Sequence, residues 1–359
     1  MKTVYLRDER KAGERRSPLT PASAKRLIDA GVNVYVEASA TRVFADTLFQ
    51  EVGAEVTTAT WESMPQNTLI LGLKELPLSD EAVSHQHIYF AHAYKGQDEA
   101  KQILTRFNAG QGCIFDLEFL TDSNNHRIAA FGYWAGFVGA GLALLGQAHY
   151  QKQTLVEFPE IKPFVDKDDF IREIKRQLGS DIANTRVMVM GALGRCGTGA
   201  SDLLAAVGIR KPTLWDMAEY DAAEKPVLSI LDHDVFINCV YLTGDIPPMI
   251  DQQRLSQNNK LRIISDVSCD PNSANNPLPV YDTITCMTRP FVQASGSDEY
   301  PVFVQAIDHL PSLLPKESSE AFAGALLPYL VELCREDELP AIWEKALGCF
   351  EKARDEVLN

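Results

Sequence analysis

The sequence predicts an α/β protein of two domains, each a parallel sheet flanked by helices, with a cleft between them. Three observations lead there. The chain has 359 residues, beyond the size at which a single hydrophobic core keeps growing. Short β-rich apolar runs alternate with helical patterns, the order that makes parallel strands covered on both faces. One long uncharged stretch near residue 130 interrupts the alternation, which then restarts. The expected division is residues 1–130 with about 315–359 as one domain, and 131–314 as the other.

In the first domain TVYLRDE (3–9) reads as a strand. Thr20-Pro21 supplies an N-cap followed by proline at the first helical position, and Gly31 closes that helix. The alternating run VNVYVEA (32–38) is a second strand ending on Glu37. Further strands fall at TLILGL (68–73), HIYFAH (87–92) and GCIFDLE (112–118), with a helix at DEAKQILTRF between the last two.

The uncharged stretch Ile128 to Gly146 has the length of a membrane span and carries five glycines, which suit a small-residue helix face. A helix buried between the two domains accounts for it better, because no second span exists and His126 and Arg127 stand at its edge. After it come the amphipathic helix KDDFIREIKRQLG (167–179) and the strand RVMVMG (186–191). Strands TLWD (213–216), VFINCVYL (235–242), LRIISDV (261–267) and VFVQAI (302–307) follow. From about Leu314 the chain reads as helical and is expected to return to the first domain.

Composition narrows the partners. The 34 basic and 49 acidic residues leave a net charge of −15, and no basic stripe exists for a phosphate backbone, so nucleic acid and anionic membranes are not expected. Seven scattered cysteines without metal-ligand spacing point to a reduced chain with no metal site. The start lacks the apolar core of a signal peptide, so a cytoplasmic protein, monomeric or a small homo-oligomer, is expected.

The run RVMVMGALGRCGTGA places Gly191, Gly194, Gly197 and Gly199 between a strand and a helix opening. Glycine there lets a pyrophosphate approach backbone N–H groups at the positive end of a helix. The spacing is GxxGxxG rather than GxGxxG. Asp216, ending the next strand, is placed to accept both ribose hydroxyls and to repel a 2′-phosphate, which favours NAD over NADP. The domain therefore reads as a Rossmann-like nucleotide-binding unit. Tyr220 is expected in the pocket wall.

In the first domain Lys74 and Glu75 follow one apolar strand, and His92, Lys95 and Gln97 follow the next, at the carboxyl ends where open α/β sheets hold ligands. A lysine among other cations in a poorly hydrated site loses its proton near neutrality and can act as a base; His92 titrates in the same range. A third strand delivers Asp116 and Glu118, which either tune those lysines or pair with them. Arg16 and Arg127 are candidates for bidentate carboxylate binding, although each taken alone reads more readily as a surface arginine.

In order, ERRSPLTP, GLKELP, FAHAYKGQ, FDLEFLTD, RIAAFGYWAGFVGAG, GALGRCGTGA, LWDMAE, DVSCDPNSANNPLPVY and IDHLPSLLPKE resemble the NAD-dependent, lysine-forming saccharopine dehydrogenases. These belong to a wider superfamily with alanine dehydrogenase and transhydrogenase. The resemblance implies oxidation of the secondary amine of saccharopine to an imine, hydrolysed to L-lysine and 2-oxoglutarate, reversibly and within lysine biosynthesis. It implies Lys74 as base for the amine and His92 as the acid–base group of imine hydrolysis. Glu75, Lys95, Glu118 and Asp308 match positions that set the site's charge balance. Arg16, Lys74, Gln97, Arg127, Phe131 and the turn Ser268, Cys269 and Asp270 match substrate contacts. Gly191, Gly194, Arg195, Asp216, Tyr220, Tyr241, Val267 and the run Ile307, Asp308, His309, Leu310 match the cofactor side.

Three positions depart from the family pattern. His126 stands where an arginine is usual, Tyr220 replaces a small hydroxyl residue, and Cys269 replaces a small residue in the DVSxD turn. A reshaped pocket for an opine-like or polyamine-linked secondary amine is therefore the first alternative. A catalytically silent nucleotide-binding regulator is the second. Cys196 and Cys239 read as buried thiols before any redox role.

Overall fold

The protein was analysed as a computed structural model, which describes all residues except 1, 98, 153–156, 241–243, 245, 270, 273–275, 295–298 and 359. The chain divides into two compact units, Met1–Ala130 with Pro315–Asn359, and Phe131–Leu314.

Unit 1 begins with β1 (Thr3–Leu6), α1 (Pro21–Asp29), β2 (Asn33–Glu37), α2 (Asp46–Glu51) and β3 (Glu55–Thr57). It continues with β4 (Leu69–Leu71), β5 (Gln86–Tyr89), α3 (Ala100–Gly110) and β6 (Cys113–Asp116). The Thr20 hydroxyl caps α1 by accepting the Ser23 N–H at 3.1 Å, and Gly31, at φ +85°, turns the chain toward β2. The strands form one parallel sheet in the order β3-β2-β1-β4-β5-β6. Its central strands are buried along their length, as Leu69, Ile70 and Leu71 show, because helices cover both faces.

The strands are shorter than the apolar runs that announce them. Beyond their ends single bonds continue the ladder, Gly72 N–H to Ile88 C=O at 3.0 Å, Phe90 N–H to Leu73 C=O at 3.1 Å and Leu117 N–H to Tyr89 C=O at 3.0 Å. The chain then leaves the sheet, carrying Lys74, His92 and Glu118 at its carboxyl edge. Helices α9 (Pro315–Arg335) and α10 (Ala341–Leu358) complete the unit. In α10, Trp343 meets Phe115 edge-on at 5.4 Å and Phe350 meets Phe107 at 6.1 Å, so the end of the chain seals β6 and α3.

Unit 2 holds α4 (Gly132–Lys152), α5 (Lys167–Leu178), β7 (Val187–Met190), α6 (Arg195–Val207), β8 (Thr213–Trp215), α7 (Met217–Ala222) and β9 (Val235–Asn238). Then come α8 (Gln252–Leu255), β10 (Ile263–Asp266), β11 (Val292–Gln293) and β12 (Phe303–Gln305). The sheet order is β11-β12-β10-β9-β7-β8. Five strands are parallel; β11 pairs antiparallel with β12, a two-residue edge that periodicity does not reveal.

The apolar helix starts at Gly132, not Ile128, and it is a core element of unit 2. Its packing explains its glycines. A Cβ on Gly136 would lie 1.8 Å from the Cys196 carbonyl oxygen, and one on Gly199 would lie 1.9 Å from that of Tyr133, so α4 and α6 touch backbone to backbone. Among the described residues no helix is long and apolar enough to cross a membrane.

Candidate active site

At the carboxyl edge of the unit 1 sheet, His92 Nδ1 and Glu75 Oε1 lie 2.5 Å apart. His92 has φ +49°, a left-handed backbone rare for a side-chain-bearing residue, and this aims its ring at Glu75. The bond holds the imidazole above its ordinary range, against the opposing effect of burial. Burial pushes the Glu75 carboxyl up, but the His92 bond and neighbouring positive charge outweigh it and hold it at about 2.

Lys74 shifts the other way. It is largely buried, and desolvation, then the charges of Arg16 and Lys11, drive its ammonium below the usual lysine range, with Glu14 and Glu75 opposing. The neighbouring groups thus move toward each other: the lysine becomes easier to deprotonate and the imidazole harder.

The remaining predicted side chains of unit 1 are arranged around carboxylates. Glu118 Oε1 accepts from Lys95 Nζ at 2.8 Å and from Arg127 Nη2 at 2.6 Å. Burial raises the Glu118 carboxyl, yet these two cations hold it low. Gln97 folds back to accept the Lys95 N–H at 2.8 Å. Arg16, predicted as a carboxylate clamp, is buried and forks onto Glu14, Nε to Oε1 at 2.8 Å and Nη2 to Oε2 at 2.6 Å. Asp116, fully buried, is pushed up to about 6 by desolvation, although it accepts N–H groups of Glu118 and Ala91.

Four charged residues near this edge escape sequence reasoning: Arg7, Glu9, Lys11 and Glu14. In the run RDERKAGERR nothing marks them as part of a site, whereas in the fold Arg7 and Glu14 are buried and the Glu9 side chain is only 6% exposed. The signal is that the run directly follows the apolar residues Val4, Tyr5 and Leu6, which are buried in β1.

In unit 2 the glycines form the predicted turn. Gly191 has φ +80°, and a Cβ on Gly197 would lie 2.1 Å from the Gly191 oxygen, so the backbone folds tightly under the start of α6. No side-chain bond caps that helix at Gly194, and a Cβ there would meet nothing nearer than 3.5 Å. Asp216 ends β8; its Oδ2 accepts the Leu193 N–H at 2.8 Å and its Oδ1 that of Met217 at 2.9 Å, tying the glycine turn to α7. Gly191, Gly194, Arg195, Asp216, Tyr220 and Val240 line a cavity of about 680 Å³. An uncapped helix start, a glycine cradle and a strand-end carboxylate around such a volume fit a dinucleotide.

Tyr220 is a wall of this cavity. Its hydroxyl donates to the Pro247 carbonyl at 2.9 Å, and the Lys225 ammonium sits 4.0 Å above its ring. Val267 lies against the α4 backbone, where a Cβ on Gly139 would approach it to 2.7 Å. Ile307 and Leu310 have their side chains in the unit 2 core, which leaves backbone as the part open to a ligand, while Asp308 is exposed and His309 half-buried. Ser268 Oγ donates to the Val240 carbonyl, and Cys269, at φ +52°, donates through Sγ to the Ala306 carbonyl at 3.0 Å. Phe131 accepts the Ala135 N–H at 2.9 Å through its carbonyl, opening α4. Tyr241 and Asp270 lie outside the described residues. Cys239 is pushed well up by burial and by its contact with Cys196, the state of a neutral thiol. Among the described residues no group of His, Cys, Asp or Glu is placed to hold a metal ion.

Comparison with known proteins fits this arrangement. Residues 5–138 match the family model described as the alanine dehydrogenase/PNT N-terminal domain. Saccharopine dehydrogenase [NAD(+), L-lysine-forming] of Schizosaccharomyces pombe is 42% identical over 359 residues, covering 97% of each chain. The protein of that name from Yarrowia lipolytica is 43% identical over 361 residues, covering 97% of this chain and 96% of its own. The chain belongs to the saccharopine dehydrogenase family. It is therefore an NAD-dependent oxidoreductase acting on a CH–NH group. Among solved structures an L-alanine dehydrogenase superposes with a TM-score of 0.71 over 99% of both chains at 16% identity, which places this saccharopine dehydrogenase family member in the same two-unit Rossmann-like fold.

Proposed function

We propose that this family member oxidatively cleaves saccharopine to L-lysine and 2-oxoglutarate, reversibly, through an imine. The observation that carries the reading is the opposed pair at the unit 1 sheet edge, Lys74 lowered by burial and cations, His92 raised by Glu75. Lys74 takes the proton from the secondary amine as the neighbouring carbon loses its hydride. His92 then passes protons between water and the carbinolamine, with Glu75 holding its ring. Glu118, Lys95 and Asp308 balance charge around these steps. Arg16, held in place by Glu14, and Arg127, held by Glu118, are proposed to meet substrate carboxylates together with Gln97, Phe131 and the 268–270 turn.

On the cofactor side Gly191, Gly194, Arg195, Asp216, Tyr220, Tyr241, Val267 and the 307–310 run are proposed to hold NAD, unit 2 being the cofactor unit and unit 1 the substrate unit. When bound, NAD supplies the hydride acceptor. Asp216 orients the ribose and excludes a 2′-phosphate. The test is NADH formation with saccharopine set beside a panel of related secondary amines. Turnover of saccharopine is the expected result; turnover of another amine alone assigns a different substrate.

A further inference from the structure

In the proposed reaction Lys74 is the base, and its backbone is held by a buried ion pair. Arg7 and Glu9 lie just beyond β1, with side chains 2% and 6% exposed, and their charges approach at 3.4 Å. Glu9 accepts two consecutive backbone donors, the Leu73 N–H on Oε1 at 2.6 Å and the Lys74 N–H on Oε2 at 2.9 Å. Arg7 Nη2 donates to the Lys74 carbonyl, while the Arg7 N–H bonds the Leu71 carbonyl at 3.0 Å. The peptide groups on both sides of the Lys74 Cα are therefore pinned by one buried ion pair.

Gly72 belongs to the same device. A Cβ there would lie 2.2 Å from Arg7 Nε, so the end of β4 reaches the guanidinium only because residue 72 has no side chain. A buried ion pair is costly to desolvate, and an apolar pair of similar size often serves stability as well or better. An apolar pair could not accept the Leu73 and Lys74 N–H groups or donate to the Lys74 carbonyl. Where β4 ends, those groups pass out of the sheet ladder, and without the pair the four rotatable bonds of Lys74 would start from a mobile Cα.

We infer that Arg7 and Glu9 are positioning residues for the reaction, fixing the backbone on either side of Lys74 so that its amine is held at the reacting nitrogen. They touch neither substrate nor cofactor in this role; they act through Lys74. Placement matters at this level because displacement by about 1 Å lowers turnover by up to roughly 10²-fold.

The inference presupposes Lys74 as the base, so the test separates the two. Turnover of saccharopine, its pH profile and NAD affinity are measured for Glu9→Gln, Lys74→Met and the double variant, with melting followed by circular dichroism. In Glu9→Gln one oxygen faces two N–H groups, so one bond is lost. The expected result is a kcat lower by about 10- to 100-fold, a displaced pH limb, unchanged NAD affinity, and no further loss when Glu9→Gln is added to Lys74→Met. A folded Glu9→Gln protein with the native kcat and pH profile overturns the inference. So does a Glu9→Gln loss of the same factor in the Lys74→Met background. Native turnover in Lys74→Met alone defeats the base assignment, and the inference with it, without reference to Glu9. If Glu9→Gln does not fold, Arg7→Lys, which keeps the charge and loses the fork, is judged by the same three readings.

Discussion

The two units share a sheet plan and use its carboxyl edge in opposite ways. In unit 1 the strands β4, β5 and β6 run out into the ionisable residues Lys74, His92 and Glu118; the Lys74 backbone is held by Glu9, the His92 ring by Glu75 and the Glu118 carboxylate by Lys95. In unit 2 the equivalent edge is mostly backbone: a glycine turn, an uncapped helix start, and one carboxylate that braces them. In the proposed reaction proton transfer falls to unit 1, whose edge carries side chains with displaced pKa values, Lys74 lowered and His92 raised. The glycines and helix start of unit 2 suit the dinucleotide it is proposed to hold, which needs fixed dipoles and close approach. Substitutions should therefore divide cleanly between effects on turnover and effects on cofactor affinity or folding.

The sharpest test of that division is Lys74→Met. Turnover should fall by roughly 10²-fold or more, as for loss of a proton-transfer group, with NAD affinity by titration unchanged; a parallel loss of affinity would break the separation. In unit 2, Gly199→Ala drives a methyl into the Tyr133 carbonyl. It should cost about 3 kcal/mol and lower the melting temperature by roughly 6–12 °C, read by calorimetry. Asp216→Ala should weaken NAD about tenfold, the scale of lost hydrogen bonds to a charged group, and narrow the preference over NADP, with the saturated rate preserved.

The smallest effect is a shift in pH. Glu75→Gln removes the group that raises His92, so the imidazole should lose its proton at lower pH and the corresponding limb of the pH–rate profile should move down. The native pair's contribution to stability has a defined window. His92 is raised when folded, so its contribution is complete below the ordinary 6.5 and is lost as pH rises through the raised value. Glu75 is lowered, so its contribution is complete above the ordinary 4.5 and is lost as pH falls toward about 2. The native protein and Glu75→Gln should therefore differ most in melting temperature between about pH 4.5 and 6.5.

Much of the fold is legible because its elements are long or strongly marked. The glycine turn with Asp216, and Thr20-Pro21 before α1, carry their geometry in local sequence. The elements β3, α2 and β11 do not, since two to six residues show no period and exist only through their neighbours. For the candidate site, residue types and strand ends are readable, but pairings are not. Arg16 reads as a ligand for a substrate carboxylate, yet its fork is on Glu14 two residues away. Arg7 and Glu9 read as the last residues of the first strand, and nothing local shows that their side chains turn to the end of β4 and bond the Lys74 backbone.

Trp343 and Phe350 lie in the heart of unit 1, more than two hundred residues after the strands they cover. During synthesis this reverses the usual order of maturation. Unit 2 is continuous and complete once its own residues have emerged, while the first unit made waits with β6 and α3 uncovered, for roughly 10–40 s at about 5–20 residues per second. A ribosome that stalls or terminates before Trp343 would release a finished unit 2 tethered to a unit 1 with apolar surface exposed on β6 and α3, a species disposed to aggregate and to engage chaperones.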